Sequence, residues 1–229
     1  MIDFLIGILA IAGTILLYLL FLNIHRKFNS QLTLPILAVS TVIIIILLIF
    51  NIPYDTYMLG GKWIEYFMGP AVVALGYPLY IHFHMLKKLA VPIIIGTLTG
   101  AVVGVSSGVL LAKSFGFERE LILALAPKSV TTPVSISIVE VLEGPTSLAA
   151  VFVIIAGAGG VLVSPFVFKL LHLDTPIGRG IGIGSASHAI GTATAMDRSD
   201  EEGSLSTIAM VLSAVFVSVL APSIIALLL

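Results

Sequence analysis

No charged residue occurs from Phe4 to Ile24, Leu32 to Ile52, Leu89 to Ala112, Thr146 to Phe168 or Gly203 to Leu229. A helix rises 1.5 Å per residue, so about 20 apolar residues cross the hydrocarbon of a bilayer, and each run is that long. Composition agrees: 10% of the 229 residues are charged, against about 25% in soluble domains. The chain therefore reads as a polytopic membrane protein. No basic cluster is present, so no nucleic-acid partner is expected. With no cysteine, disulfides, thiolate chemistry and Cys-type zinc sites are excluded as well.

The first run is too long for a signal peptide and follows Met1-Ile2-Asp3, which carries no cation. His25-Arg26-Lys27 closes it, placing that end in the cytoplasm and the N-terminus outside. The second ends at Asn51 to Asp55, read as an external loop with interfacial Tyr54, Tyr57 and Trp63. Tyr66 to Phe83 makes a further span, interrupted by Gly69-Pro70 and Gly76-Tyr77-Pro78, and His84, Lys87 and Lys88 mark a second cytoplasmic edge. In the span from Leu89, glycines at 96, 100, 104 and 108 form a stripe that admits close helix contact. The expectation is an all-α membrane protein with about six transmembrane helices plus two broken or re-entrant segments, 118–142 and 177–200. It divides into a two-helix region, 1–60, and a core, 61–229.

The two odd segments coincide under a shift of 57 residues, which sets Thr131 opposite His188, Ser147-Leu148 on Ser204-Leu205 and Pro165 on Pro222. If both segments cross the membrane, Lys and Arg divide five inside to five outside; if both dip in and return, the division is seven to three. The positive-inside rule favours the second count, and the repeats then have inverted topology, as in many secondary transporters. Each segment is also long enough to cross once.

The first segment holds "APKSVTTPVS", residues 126–135. A cation at bilayer depth costs about 2.5–3.5 kcal/mol on insertion scales, so Lys128 must face protein, water or an anion. Pro127 and Pro133 interrupt the helix, and non-helical backbone in a membrane is confined to cavities and protein interiors. Free amides, the hydroxyls of Ser129, Thr131 and Thr132, and a helix resuming at Pro133 then describe a small-anion site. Two other arrangements suit the same lysine: snorkelling to an interface, and pairing with Glu140 or Glu143.

The second segment, "GIGSASHAIGTATA", offers Ser187, His188 and Thr192 among loosening glycines at 182, 184 and 191. His188 is a candidate for substrate contact or for a coupling proton, and equally for a buried neutral histidine bonded to a carbonyl. Gly184 and Gly191 are expected to break the helix as Pro127 and Pro133 do. One histidine without nearby carboxylates is no metal site. Asp200-Glu201-Glu202 reads as a solvated loop. Ser129 beside Lys128, and Ser185 and Ser187 near His188, are formal nucleophile–base pairs, but no G-x-S-x-G elbow accompanies them, so no catalytic residue and no cofactor is expected.

"APKSVTTPVS", "GRGIGIGSASHAIGTATA" and "EEGSLSTIAMVL" resemble the LrgB/CidB family of bacterial membrane proteins, YohK-type proteins included, and the C-terminal half of the plastid glycolate/glycerate translocator. The resemblance covers roughly residues 60 to 229 and implies the bacterial cytoplasmic membrane. It implies one of two roles. One is antiholin-like control of murein hydrolase export and autolysis beside a small LrgA/CidA-type partner. The other is carriage of small monocarboxylates such as glycolate, glycerate or pyruvate. Lys128 favours the carrier, in which Lys128 binds the carboxylate, Ser129, Thr131 and Thr132 bond it or a neighbouring hydroxyl, and Ser187, His188 and Thr192 close the opposite wall. The expected partners are a small organic anion, the lipid bilayer and further copies of the chain.

Overall fold

The computed structural model describes residues 2–28, 33, 35–74 and 76–229. The chain forms two compact units, 1–71 and 72–229. Among the described residues every regular element is helical.

In the first unit α1 (Ile2–Phe28) carries Asp3 in its first turn and His25, Arg26 and Lys27 in its last, which complements the helix dipole. Its length and hydropathy suit a membrane span. The second expected span is shorter than predicted: α2 runs only from Pro35 to Ile49, about 22 Å at helical rise. Proline at its start fixes a helical φ and lacks only an amide that has no partner there. The expected loop is a short turn, Asn51 to Pro53, and the chain is helical from Tyr54 as α3 (Tyr54–Glu65). No proline interrupts that stretch, and small residues seat it on α1. The Tyr57 hydroxyl lies 3.1 Å from Thr14 Oγ1, and Gly60 lies against the backbone of Gly7 so closely that a methyl group would collide.

The third expected span is not one helix. The described helices there are α4 (Met68–Ala74), α5 (Gly76–Ile81) and α6 (Phe83–Lys88), with Tyr66 and Phe67 in a turn before α4 and His82 (φ −91°, ψ 18°) between α5 and α6. Pro70 falls in the first turn of α4, where proline is tolerated.

The second unit is built on three long apolar helices: α7 (Ala90–Ser114), α10 (Thr146–Leu170) and α12 (Asp200–Leu228). Between them lie α8 (Arg119–Leu125), α9 (Thr132–Val141) and the kinked α11 (Pro176–Arg198). Both broken segments turn back on themselves. Arg179 and Arg198 stand at opposite ends of α11, nineteen positions apart, which a straight helix would separate by about 28 Å. Both guanidinium groups nevertheless pair with one carboxylate, Glu202, at 3.4 and 2.6 Å. The reversal falls on His188 (φ 41°, ψ −133°), the single non-helical residue inside α11, and not on Gly184 or Gly191 as predicted. Those glycines permit contact instead: Gly184 touches the Ser206 backbone, and Gly191 touches Ile183 on the other limb.

The first segment reverses in the same way. A methyl group on Gly144, beyond α9, would lie 3.2 Å from Cβ of Leu123 in α8. Ala124 and Val139 share one core cluster. Residues 126–131 make the turn, with Pro127 inside it, and the helix resumes as α9 with Pro133 in its first turn, as the sequence predicts.

The hairpins therefore enter from opposite faces. The α8–α9 hairpin hangs from the end of α7 and the start of α10; α11 hangs from the end of α10 and the start of α12. Lys113 Nζ donates to the Leu228 carbonyl at 2.6 Å, so α7 and α12 finish on the same face. The 57-residue repeat is visible as hairpin plus span, twice and inverted, with Pro165 inside α10 and Pro222 inside α12. Its apolar core joins Val105 and Val109 of α7, Val130 at the first turn, Val134 of α9 and Val217 of α12.

Candidate permeation site

The glycine stripe of α7 is the surface on which both hairpins rest. Added methyl groups at Gly96 and Gly100 would meet Ile181 and Ser185 of α11, and at Gly104 and Gly108 would meet Ser129 and Lys128. Gly104 and Gly108 lie about 15 and 9 Å from the Ser114 end of α7, so the first tip sits well inside the layer.

Lys128 is half-buried there. Its ammonium donates to the Gly104 carbonyl at 3.2 Å. The two ion pairs among the described residues both belong to Glu202, so Lys128 has no carboxylate partner, and Glu140 is exposed rather than paired with it. Around the lysine the backbone forms hydrogen-bonded turns, Lys128 N–H donating to the Leu125 carbonyl at 3.1 Å and Val130 N–H to the Pro127 carbonyl at 3.3 Å. Thr131 is the N-cap of α9 in extended conformation without a side-chain cap bond. The first-turn amides of α9 therefore have no intrahelical acceptor. Thr131 is buried, its hydroxyl unpartnered; Thr132 is half-buried.

A cleft of about 520 Å³ runs down α7 from Pro92 to Gly104, walled on the far side by Ile177, Ile181, Gly182 and Ser185 of α11. Ser129 lies at its inner end, beside Lys128 in sequence. The cleft is thus bounded by the first tip and by the N-terminal limb of the second hairpin. Ser185, whose own hydroxyl donates to Ile181 O at 2.8 Å, is a wall residue of the cleft; the sequence motif singled it out only as a formal nucleophile near His188.

The other predicted residues are not in that cleft. His188 is buried, with Nε2 3.0 Å from the Val153 carbonyl of α10 and its ring against Gly157. Ser187 is wedged against Gly160 of α10, its hydroxyl unpartnered. Thr192 Oγ1 lies 2.9 Å from Ser206 Oγ of α12. The second tip is packed into α10 and α12 while the first faces the cleft. No group of three or more potential metal ligands occurs among the described residues. A separate apolar cavity of about 430 Å³ in the first unit has Thr14, Thr56 and Tyr57 as its polar side chains, which offers an anion no charge.

Glu202 corrects the reading of residues 200–202 as a solvated loop. The residue is 1% exposed, and Ser199 Oγ accepts its backbone N–H at 3.1 Å.

Comparison with known proteins finds a match to the LrgB-like family over residues 14–227. A relative named uncharacterized protein YxaC, from Bacillus subtilis (strain 168), is 42% identical over 217 residues, covering 95% of this chain and 94% of the relative. Holin-like protein CidB of Staphylococcus epidermidis is 37% identical over 220 residues, 96% of each chain. Holin-like protein CidB of Staphylococcus aureus is 35% identical over the same shares. No solved structure matches.

Proposed function

The chain belongs to the LrgB-like family, and from that premise we propose that it is a holin-like membrane protein, an antiholin-like modulator of murein hydrolase export and autolysis. It resides in the bacterial cytoplasmic membrane beside a small LrgA/CidA-type partner, in several copies, and carries no catalysis of its own. The likeness to proteins named holin-like over nearly their whole length is the observation that carries this reading. In the second unit Lys87, Lys88, Lys169, Arg179 and Arg198 stand at the face where α7 begins, against Lys113 and Arg119 at the other. That asymmetry supports placing the first face in the cytoplasm; His25-Arg26-Lys27 at the end of α1 supports an external N-terminus by the same rule. The test is deletion and complementation. Loss of the protein should change the rate of detergent-triggered lysis and the murein hydrolase activity outside the cell, and the intact chain should restore both. Unaltered lysis and hydrolase release would refute this role.

One observation favours a second reading, a carrier of small monocarboxylates. Lys128 lies in the turn beside Ser129, the residue at the inner end of the cleft, donates to the carbonyl of the cleft residue Gly104, and has no protein carboxylate to neutralise it; a wide pore has no need of such a group. A carboxylate reaching Ser129 would find the ammonium, hydroxyls and first-turn amides together. In proteoliposomes a carrier saturates and discriminates among glycolate, glycerate and pyruvate, and Lys128→Ala abolishes that flux in a folded protein. Passage of unrelated solutes, or flux indifferent to Lys128, contradicts it.

A further inference from the structure

At the base of α11 the structure holds a second charged cavity, away from the cleft. It measures about 330 Å³ and is lined by Lys169, Arg179, Arg198 and Asp174, with Pro165 and Phe168 among its apolar walls. Four chain segments meet there: the end of α10, the turn after it, and both ends of α11.

The arginines are fixed in place. Glu202, buried beneath them, accepts a hydrogen bond from Arg198 Nη1 at 2.6 Å on one carboxylate oxygen, and Arg179 Nε forms an ion pair without a hydrogen bond at 3.4 Å from the other. Arg179 Nη2 donates to the Asp174 carbonyl at 3.2 Å, and Arg198 Nη2 lies 3.5 Å from Ser164 Oγ. The Arg198 guanidinium sits 5.4 Å over the Phe168 ring. Each guanidinium thus spends part of its fork on the protein and keeps the remainder at the cavity, about a third exposed. Lys169 forms no ion pair. Against these three cations stand the carboxylates of Asp174 and Glu202, so the cluster retains one positive charge.

We propose that this cavity binds a phosphate-bearing anion, either the phosphodiester of an anionic lipid headgroup or a soluble phosphate ester, clasped by Lys169, Arg179 and Arg198. Planar guanidinium forks match phosphate oxygens, and a lysine adds a point charge. The volume suits a headgroup-sized ligand; a phosphodiester's single charge neutralises the surplus, and a phosphomonoester, which carries up to about two charges at neutral pH, meets the same three cations. The bound group bridges α10 to both ends of the hairpin, so occupancy holds the hairpin base against α10.

The experiment uses the full chain in dodecyl maltoside micelles, which contain no phosphate. One arm titrates sn-glycerol 3-phosphate by calorimetry; the other adds phosphatidylglycerol and counts retained lipid by native mass spectrometry. The exposed Lys169→Gln variant leaves the Glu202 pairs intact and should weaken binding about tenfold or more, and Lys169→Arg should restore it. Retained lipid that glycerol phosphate cannot displace identifies a headgroup site; saturable glycerol phosphate binding without lipid retention identifies a soluble ligand. If neither probe binds the native chain saturably, or Lys169→Gln binds both as the native chain does, the proposal is wrong.

Discussion

The two hairpins share a backbone plan and differ in what holds them. The second is fastened at both ends: its base is tied by two arginines to Glu202, and its tip is packed with Ser187 against Gly160 and His188 on the Val153 carbonyl. The first lacks an ion pair. Apolar contacts hold its limbs, and its tip meets α7 through the flexible end of a lysine. A repeated fold has thus put its rigid polar contacts in one copy and left the other with a half-buried lysine that has no carboxylate partner. The difference teaches that one backbone plan can be held by buried charge pairs in one copy and by apolar packing in the other.

The largest effect should come from Glu202→Gln. Removing that charge leaves two guanidinium groups without their partner at the hairpin base. Breaking a buried pair costs about 3–5 kcal/mol; with the arginines a third exposed, about 2 kcal/mol is expected here. Thermal unfolding in nanodiscs should show a clear drop in midpoint, and an unchanged midpoint would break the comparison at its base. Glycine substitutions sharpen it further. Gly184→Ala drives a methyl group into the Ser206 backbone, which cannot yield cheaply, so a loss of about 1–3 kcal/mol is expected. Gly108→Ala meets Lys128 Nζ at 2.6 Å, the movable end of a long side chain. It should cost little stability while disturbing whatever passes the lysine. Equal losses at the two sites would erase the distinction. The smallest effect on stability belongs to Lys128→Met, which removes a cation without a carboxylate partner. Its unfolding midpoint should stay level or rise, even as any carboxylate uptake in proteoliposomes disappears; a fall comparable to that of Glu202→Gln would make Lys128 a structural residue.

Much of this architecture is legible in the chain itself. Uncharged runs mark α1, α7, α10 and α12 because only continuous apolar length crosses a bilayer. The asymmetry of Lys169 and Arg179 pointed to re-entrant segments, and the Glu202 pairs bring the two ends of the second segment together. Lys128 stood out because charge at depth is expensive. What escaped the sequence depended on tertiary partners. α3 looks like a loop until Gly60 and Tyr57 find Gly7 and Thr14 across the unit. Glu202 looks solvated because its two arginines lie 4 and 23 positions away in sequence, and only a hairpin joins them. The glycines of the second segment resembled hinges, but the positive φ belongs to His188, a strained choice that costs about 1–3 kcal/mol and is set by packing, not propensity.

The claim on which the rest depends is that both broken segments return to the face they left. The chain contains no cysteine, so single cysteines can be placed at Phe117 and Glu143, flanking the first hairpin, and at His172 and Ser199, flanking the second. Labelling with a membrane-impermeant maleimide from each side of oriented membranes reads the answer directly. The account predicts that positions 117 and 143 label from one side and positions 172 and 199 from the other. Labelling of 117 and 143 from opposite sides would contradict it.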